Sequence, residues 1–306
     1  PDGNYLKEFS PDYFTDRYFC EWGDAINFDG SNAAPVREFF LANVSHWISE
    51  YHLDGLRIDA TQQIFDSSPR NIIAELSETA RAAAGSRKII LVAENEPQHT
   101  NLIRPLNEGG CGLDALWNDD FHHTAMVALT GRREAYYYDY LGTPQEFVSA
   151  LKWGYLYQGQ YYAWQKRKRG TPSLGFKPES FINYIQNHDQ VANTGQGWRI
   201  HCRTSPGLYR AITALLILGS GIPMLFQGQE FAASSPFLYF ADHNPELAKL
   251  VKQGRMQFMS QFRSITGIMK TLISDPGDPE TFLKSKLDFS ERGTHQGIYA
   301  MHRDLL

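Results

Sequence analysis

The sequence predicts an α/β fold, and three observations predict it. Five short apolar or alternating stretches, starting near residues 54, 88, 113, 181 and 222, are separated by helical patterns, as in a parallel sheet. Three of those stretches end in a carboxylate, and in such folds the C-terminal ends of the strands face the loops that build the site. No glycine-rich fingerprint follows any strand, which argues against a dinucleotide or P-loop fold. Strand-end sites suit either an open sheet or a (β/α)8 TIM barrel, and the barrel is the preferred architecture. At 306 residues with 42% hydrophobic content, a single domain over 1–306 is expected.

Residues 1 to 33, rich in Gly, Asp, Asn and Pro, read as a long ordered loop of the kind that is usually functional. From Pro35 to Tyr51 the apolar residues Val36, Phe39, Phe40, Val44, Trp47 and Ile48 fall at helical spacing, with Pro35 suited to the first turn. This helix feeds the strand Asp54-Gly55-Leu56-Arg57-Ile58-Asp59, on which Arg57 and Asp59, two apart, point to the same side. Ser68-Pro69 is expected to open the next helix as cap and first residue, with Ile72, Ile73, Leu76 and Ala80 as its stripe and Gly85 as its end. Lys88 to Ala93 is a continuous apolar run, as in a strand covered on both faces, and it delivers Glu94.

The third strand, Leu113 to Trp117, leads into Asn118-Asp119-Asp120-Phe121-His122-His123. Residues 124 to 175 are expected to be largely helical and aromatic-rich, with one basic loop at Lys166-Arg167-Lys168-Arg169. Phe181 to Ile185 is the fourth strand and delivers Asn187-His188-Asp189. A loop to about Pro206, an apolar helix from Leu208 to Leu218 and a last strand, Ile222 to Phe226, then deliver Gln227-Gly228-Gln229-Glu230.

Composition narrows the function classes. The net charge is −5 and no basic run exceeds four residues, so neither nucleic acid nor an anionic membrane is expected as a partner. Cys20, Cys111 and Cys202 form no CxxC pattern, so no disulfide framework or metal site is expected, and a reducing, cytoplasmic setting follows. His122 and His123 beside Asp119 and Asp120 invite a metal reading, but adjacent residues on a helix or strand cannot both face one ion. Their polar groups are assigned instead to a sugar site or the barrel mouth. No cofactor is expected. The longest apolar candidate, Ala211 to Met224, is broken by polar residues, Gly and Pro, so no membrane span is expected. The chain opens on Pro1 rather than Met, so the lack of a signal peptide carries no weight.

Three carboxylates at strand ends suit glycosidic bond cleavage, in which one carboxyl protonates the leaving oxygen while another attacks or guides water. Asp59, beside Arg57, is the nucleophile candidate, and Glu94, after a wholly apolar strand, is the proton donor. His188 and Asp189 would hold sugar hydroxyls. From the hexapeptide alone, a structural Arg57–Asp59 pair remains the competing reading.

The stretches DGLRID, VAEN and QNHDQ resemble the α-amylase family of retaining glycosidases. The resemblance implies that Asp59 is the nucleophile, Glu94 the acid/base and Asp189 a transition-state stabiliser. It places Arg57, Trp117, Asp119, Asp120, His122, Asn187, His188, Gln229 and Glu230 among the substrate-binding residues. PDGNYL at 1–6, WGDAINFDG at 22–30, WNDDFHH at 117–123, LFQGQEFAASSPFLYFADH at 225–243 and TFLKSKLDFSER at 281–292 look most like the malto-oligosyltrehalose trehalohydrolases of that family. That likeness implies hydrolysis of the α-1,4 bond next to the terminal trehalose unit of a maltooligosyl trehalose. It also implies an incomplete barrel, strands four to eight, beginning in the loop after the third strand and ending in the last barrel helix, without the family's C-terminal domain. Gln63 stands where many α-amylases have a sugar-contacting His. Two alternatives accompany this expectation: a 1,4-α-glucan branching enzyme, and a fragment that binds glucan without catalysis.

Overall fold

The computed structural model describes residues 4–20, 22–265 and 273–306, so the first three letters of PDGNYL lie outside the described residues. The chain divides into two compact units, 1–117 with 169–181, and 118–168 with 182–306.

In the first unit, helix α1 (Leu6–Phe9) and the antiparallel strands β1 (Phe14–Thr15) and β2 (Ala25–Ile26) punctuate the long N-terminal loop. Helix α2 (Ala33–Ser49), strand β3 (Gly55–Ile58), helix α3 (Ile72–Ala84), strand β4 (Ile90–Ala93) and strand β5 (Ala115–Trp117) follow. The strands are parallel, with Gly55 opposite Ile90, Ile58 opposite Ala93, and Ala93 opposite Leu116. Leu91, Val92 and Ala93 are buried with all of β5, as expected of strands covered on both faces, while Ile90 is exposed. A glycine is required at 55: a Cβ there would lie 2.0 Å from the Ile90 carbonyl oxygen.

Helix α3 does not begin at Ser68-Pro69. Asn71 is its cap and accepts from the Ile73 N–H at 2.9 Å, while the Asp66 carboxylate takes the Ile72 N–H at 2.6 Å. Ser68 instead turns its hydroxyl onto Asp66 and the Arg70 carbonyl, so the cap passes to the next Asx residue. Gly85 ends the helix at φ 60°, a left-handed value that glycine adopts without cost. Arg37 ties α2 to this entry, bonding Asp66 at 2.7 Å, Glu75 at 2.9 Å and the Phe28 carbonyl at 2.8 Å.

In the second unit, helix α4 (Asp119–Thr130) and helix α5 (Pro144–Trp153) precede a small antiparallel hairpin, β6 (Tyr161–Tyr162) with β7 (Arg167–Lys168). Strand β8 (Phe181–Asn183), helix α6 (His188–Ala192), helix α7 (Pro206–Leu218) and strand β9 (Ile222–Pro223) follow, β8 and β9 running parallel through Ile182 opposite Ile222. Helices α8 (Pro245–Met259), α9 (Pro279–Ser285), α10 (Glu291–Thr294) and α11 (Gln296–Leu305) complete it. Phe121, Ile185, Tyr209, Ile212, Leu216 and Met259 lie in its apolar core.

The largely helical stretch expected over 124–175 is not found. Helix α4 stops at Thr130, Gly131 takes the left-handed conformation, and Gly142, Gly154, Gly159 and Gly170 break the chain again at positive φ. All five expected strands are present, each shorter than the apolar run that announced it. Parallel strands alternating with helices are consistent with part of an α/β barrel. Among the described residues, no helix is long and apolar enough to cross a membrane.

Candidate active site

The end of β3 carries Arg57 and Asp59, and the pairing of β3 with β4 sets Asp59 beside Glu94. Register continues one residue past the strands, because the Glu94 N–H donates to the Ile58 carbonyl at 3.0 Å. One guanidinium then bridges the two acids. Arg57 Nη1 lies 2.7 Å from Asp59 Oδ1, and Nη2 lies 2.5 Å from Glu94 Oε2. The guanidinium also covers the Trp117 ring, 4.1 Å from its centroid. The structure thus brings together Arg57, Asp59, Glu94 and Trp117. The Asp59 side chain is 70% exposed and that of Glu94 26%, so Asp59 is the carboxylate open to an incoming ligand.

Glu94 is not in the apolar surroundings that its strand suggested. Its carboxylate accepts from Arg57 and, at 3.2 Å, from the Ala60 N–H. Its backbone is clamped as well. The Glu94 carbonyl accepts from the Thr61 N–H at 3.0 Å and from Thr61 Oγ1 at 2.6 Å, and Asn95 Nδ2 donates to that hydroxyl at 3.0 Å. Thr61 and Asn95 were missed by sequence reasoning. Asn95 is the last letter of VAEN and Thr61 lies two residues after DGLRID, so position beside the two motifs was the available signal.

The remaining expected residues belong to the second unit. His188 and Asp189 are half-exposed at the start of α6, with Nε2 and Oδ2 3.3 Å apart. Asn187 caps that helix, its Oδ1 accepting from the Asp189 and Gln190 N–H groups at 3.0 and 3.1 Å. Arg255 of α8 holds the other end through Asn193 Oδ1 at 2.7 Å and the Ala192 carbonyl at 2.8 Å. Sequence reasoning did not single out Arg255, which lies more than sixty residues away in the chain.

WNDDFHH proves mostly internal. Asp120 is fully buried and accepts from Tyr140 Oη at 2.5 Å and from the Leu156 and Tyr157 N–H groups at 2.8 Å. His122 is also fully buried, with Nδ1 3.1 Å from the Ile185 carbonyl and Nε2 3.1 Å from Tyr137 Oη. A carbonyl can only accept, so the proton sits on Nδ1 and Nε2 accepts from the tyrosine. Burial pushes the His122 pKa down to about 3. Neither Asp120 nor His122 has surface left to offer a sugar, which corrects their expected role as direct contacts. Asp119 accepts from Tyr184 Oη and is the less buried of the two acids. Asn118, not singled out from sequence, is a buried hub. Its Oδ1 caps α4 at the Phe121 N–H, and Nδ2 lies 2.5 Å from the Gly154 carbonyl and 2.7 Å from Asn183 Oδ1.

Gln229 is likewise buried, its Oε1 3.3 Å from Gln186 Nε2, while Glu230 is partly exposed and 3.6 Å from Arg292. Gln229 therefore supports its loop from within, a second correction to the expected contacts.

No family model matches the chain. A malto-oligosyltrehalose trehalohydrolase from Deinococcus radiodurans is 38% identical over 313 residues, covering 100% of this chain and 50% of that protein. A 1,4-alpha-glucan branching enzyme from Leifsonia xyli subsp. xyli is 28% identical over 240 residues, covering 71% of this chain and 28% of that enzyme. A crystal structure from Salmonella typhimurium, provisionally assigned as an alpha amylase, matches at 35% identity with a TM-score of 0.89, covering 100% of this chain and 51% of that one. The chain spans about half the length of the curated relatives it matches. With 38% identity over its whole length to a malto-oligosyltrehalose trehalohydrolase and a TM-score of 0.89 to the Salmonella structure, the chain belongs to the alpha-amylase family, where that trehalohydrolase is among its relatives.

Proposed function

We propose that the chain carries the carboxylates of a retaining glycosidase that cleaves the α-1,4 bond next to the terminal trehalose unit of a malto-oligosyltrehalose and releases trehalose. The observation that carries this reading is the Arg57 guanidinium shared by Asp59 and Glu94 at the ends of neighbouring strands. Retention calls for two carboxyls about 5 to 5.5 Å apart, against roughly 6.5 to 9.5 Å for inversion, and one guanidinium spanning both acids supports the shorter spacing.

In this mechanism Asp59 attacks the anomeric carbon while Glu94 gives its proton to the departing glycosidic oxygen. Glu94 then takes a proton from water, which cleaves the glycosyl-Asp59 ester and restores the enzyme. A sugar seated at the strand ends draws Arg57 wholly onto Asp59 and leaves Glu94 facing the leaving oxygen. The motif QNHDQ implies the role of third carboxylate for Asp189, and His188 lies beside it at the start of α6.

Incubating the full-length protein separately with maltotriosyltrehalose and with amylose tests the reading. Trehalose release from the first supports it. A change in iodine staining of amylose without trehalose would establish a branching enzyme instead, and glucan binding with no product would establish a binding protein.

A further inference from the structure

A cavity of about 410 Å³ opens on the second unit, lined by Thr130, Arg132, Trp198, Cys202, Arg203 and Thr204. This volume falls within the usual range for small-molecule sites. Two of the six lining residues carry guanidinium groups and none is acidic. Behind it, narrower space continues past Gln190 and Tyr137 to Glu134, whose carboxylate is occupied by the Ser264 N–H and hydroxyl.

Arg203 is the unusual member. It is largely removed from water, enough for desolvation to pull its pKa down, yet among the described residues its guanidinium makes no hydrogen bond or ion pair. Glu134 attracts it without forming an ion pair, and a desolvated charge without a direct partner destabilises a fold, so an anion that completes it is favoured there. Two further groups point the same way. Thr204 Oγ1 and Gln190 Oε1 are buried and have no hydrogen-bond partner. An acceptor such as Gln190 Oε1 cannot be satisfied by a phosphate oxygen and needs a donor, which a sugar hydroxyl supplies. Trp198, half-exposed at the rim, offers an aromatic face of the size of a pyranose ring.

We infer that this cavity binds a small phosphorylated sugar, with its phosphate held by Arg132 and Arg203, its ring on Trp198, one hydroxyl on Thr204 and another reaching Gln190 in the narrower space behind. Paired guanidinium groups suit a phosphate because each can donate two parallel hydrogen bonds. The inference does not depend on the hydrolysis proposed above, since its readout is binding alone.

Calorimetric titration of the full-length protein with glucose 6-phosphate, inorganic phosphate and glucose tests it. Glucose 6-phosphate should bind, glucose should give no heat, and inorganic phosphate should bind more weakly by about tenfold or more. Arg203→Gln should weaken the sugar phosphate by about tenfold or more, and so should Arg132→Gln, an exposed position where folding is not at stake. No binding of glucose 6-phosphate at millimolar concentration, or binding unchanged in Arg132→Gln, overturns the site. Inorganic phosphate binding as tightly as glucose 6-phosphate overturns the sugar assignment.

Discussion

Arg57 lies over the Trp117 ring, 4.1 Å from its centroid, while its two terminal nitrogens pair with different acids, Asp59 and Glu94. Only a planar, forked cation can do all three at once, since an ammonium is a point charge without a stacking face. Arg57→Lys in the full-length protein should therefore lower kcat on maltotriosyltrehalose by about 100-fold, through misplaced carboxylates. Unchanged turnover would reduce Arg57 to a structural tie.

Asp59→Asn removes the proposed nucleophile and should cost about 10⁴-fold or more in kcat. Trapping the native enzyme with a fluorinated glycosyl donor and mapping the labelled peptide should place the sugar on Asp59. A label on any other residue sinks the assignment.

Thr61→Val keeps the side-chain shape but deletes the hydroxyl that holds the Glu94 carbonyl at 2.6 Å. The expected result is a kcat lower by about tenfold with little change in KM, and a stability loss of about 1 kcal/mol. A loss of stability without the kcat effect would mean that the clamp does not position Glu94.

Asp66→Ala should be among the most damaging changes outside the site. It takes one of two carboxylate partners from Arg37, whose side chain is 15% exposed, leaving Glu75, and it frees the Ile72 N–H at the start of α3. Breaking a buried pair in this way costs about 3 kcal/mol or more, readable as a shift in the denaturant midpoint. A cost below about 1 kcal/mol would show that the pair contributes no more than a surface bridge.

His122 makes stability fall in acid. Its pKa drops from 6.5 in the unfolded chain to about 3 in the fold, so between those values the unfolded state binds more protons. Its contribution is complete above pH 6.5 and is lost as pH falls toward 3, at about 1.4 kcal/mol per pH unit within the window. His201, lowered to about 4 chiefly by burial, acts in the same direction. Denaturant midpoints measured from pH 7 to 4.5 should decline less steeply in His122→Gln, and an unaltered slope would refute the assignment.

Much of the first unit was legible because the two carboxylates and their arginine sit on short strands whose alternation is local. Arg57 and Asp59 face one way by strand geometry alone, and β4 announces Glu94 by its apolar run. What Glu94 touches was not legible, because Arg57 and Ala60 reach it across the β3–β4 pairing. The same limit explains WNDDFHH. Its polar letters suggest a site, but Asp120 serves the backbone of Leu156 and Tyr157, thirty-six and thirty-seven residues on. Between 124 and 175 the closely spaced tyrosines mimic helical spacing. Their rings pack edge to face on His123, Phe262 and one another, a pattern that depends on tertiary neighbours rather than on period.

Gly55 has a consequence that reaches beyond its own turn of the sheet. Any side chain there would drive β3 away from the Ile90 carbonyl, and the two strands stay paired from that point to Ile58 and Ala93. Asp59 and Glu94 hang from the far ends of the same two strands, so they act as the tips of a pair of tongs hinged at residue 55. The gap between the tips is set by the absence of a methyl group four residues behind them. A mutation that looks like a harmless surface methyl in an alignment of side-chain types would spread the tongs, and repair would have to come from the β4 backbone rather than from either acid.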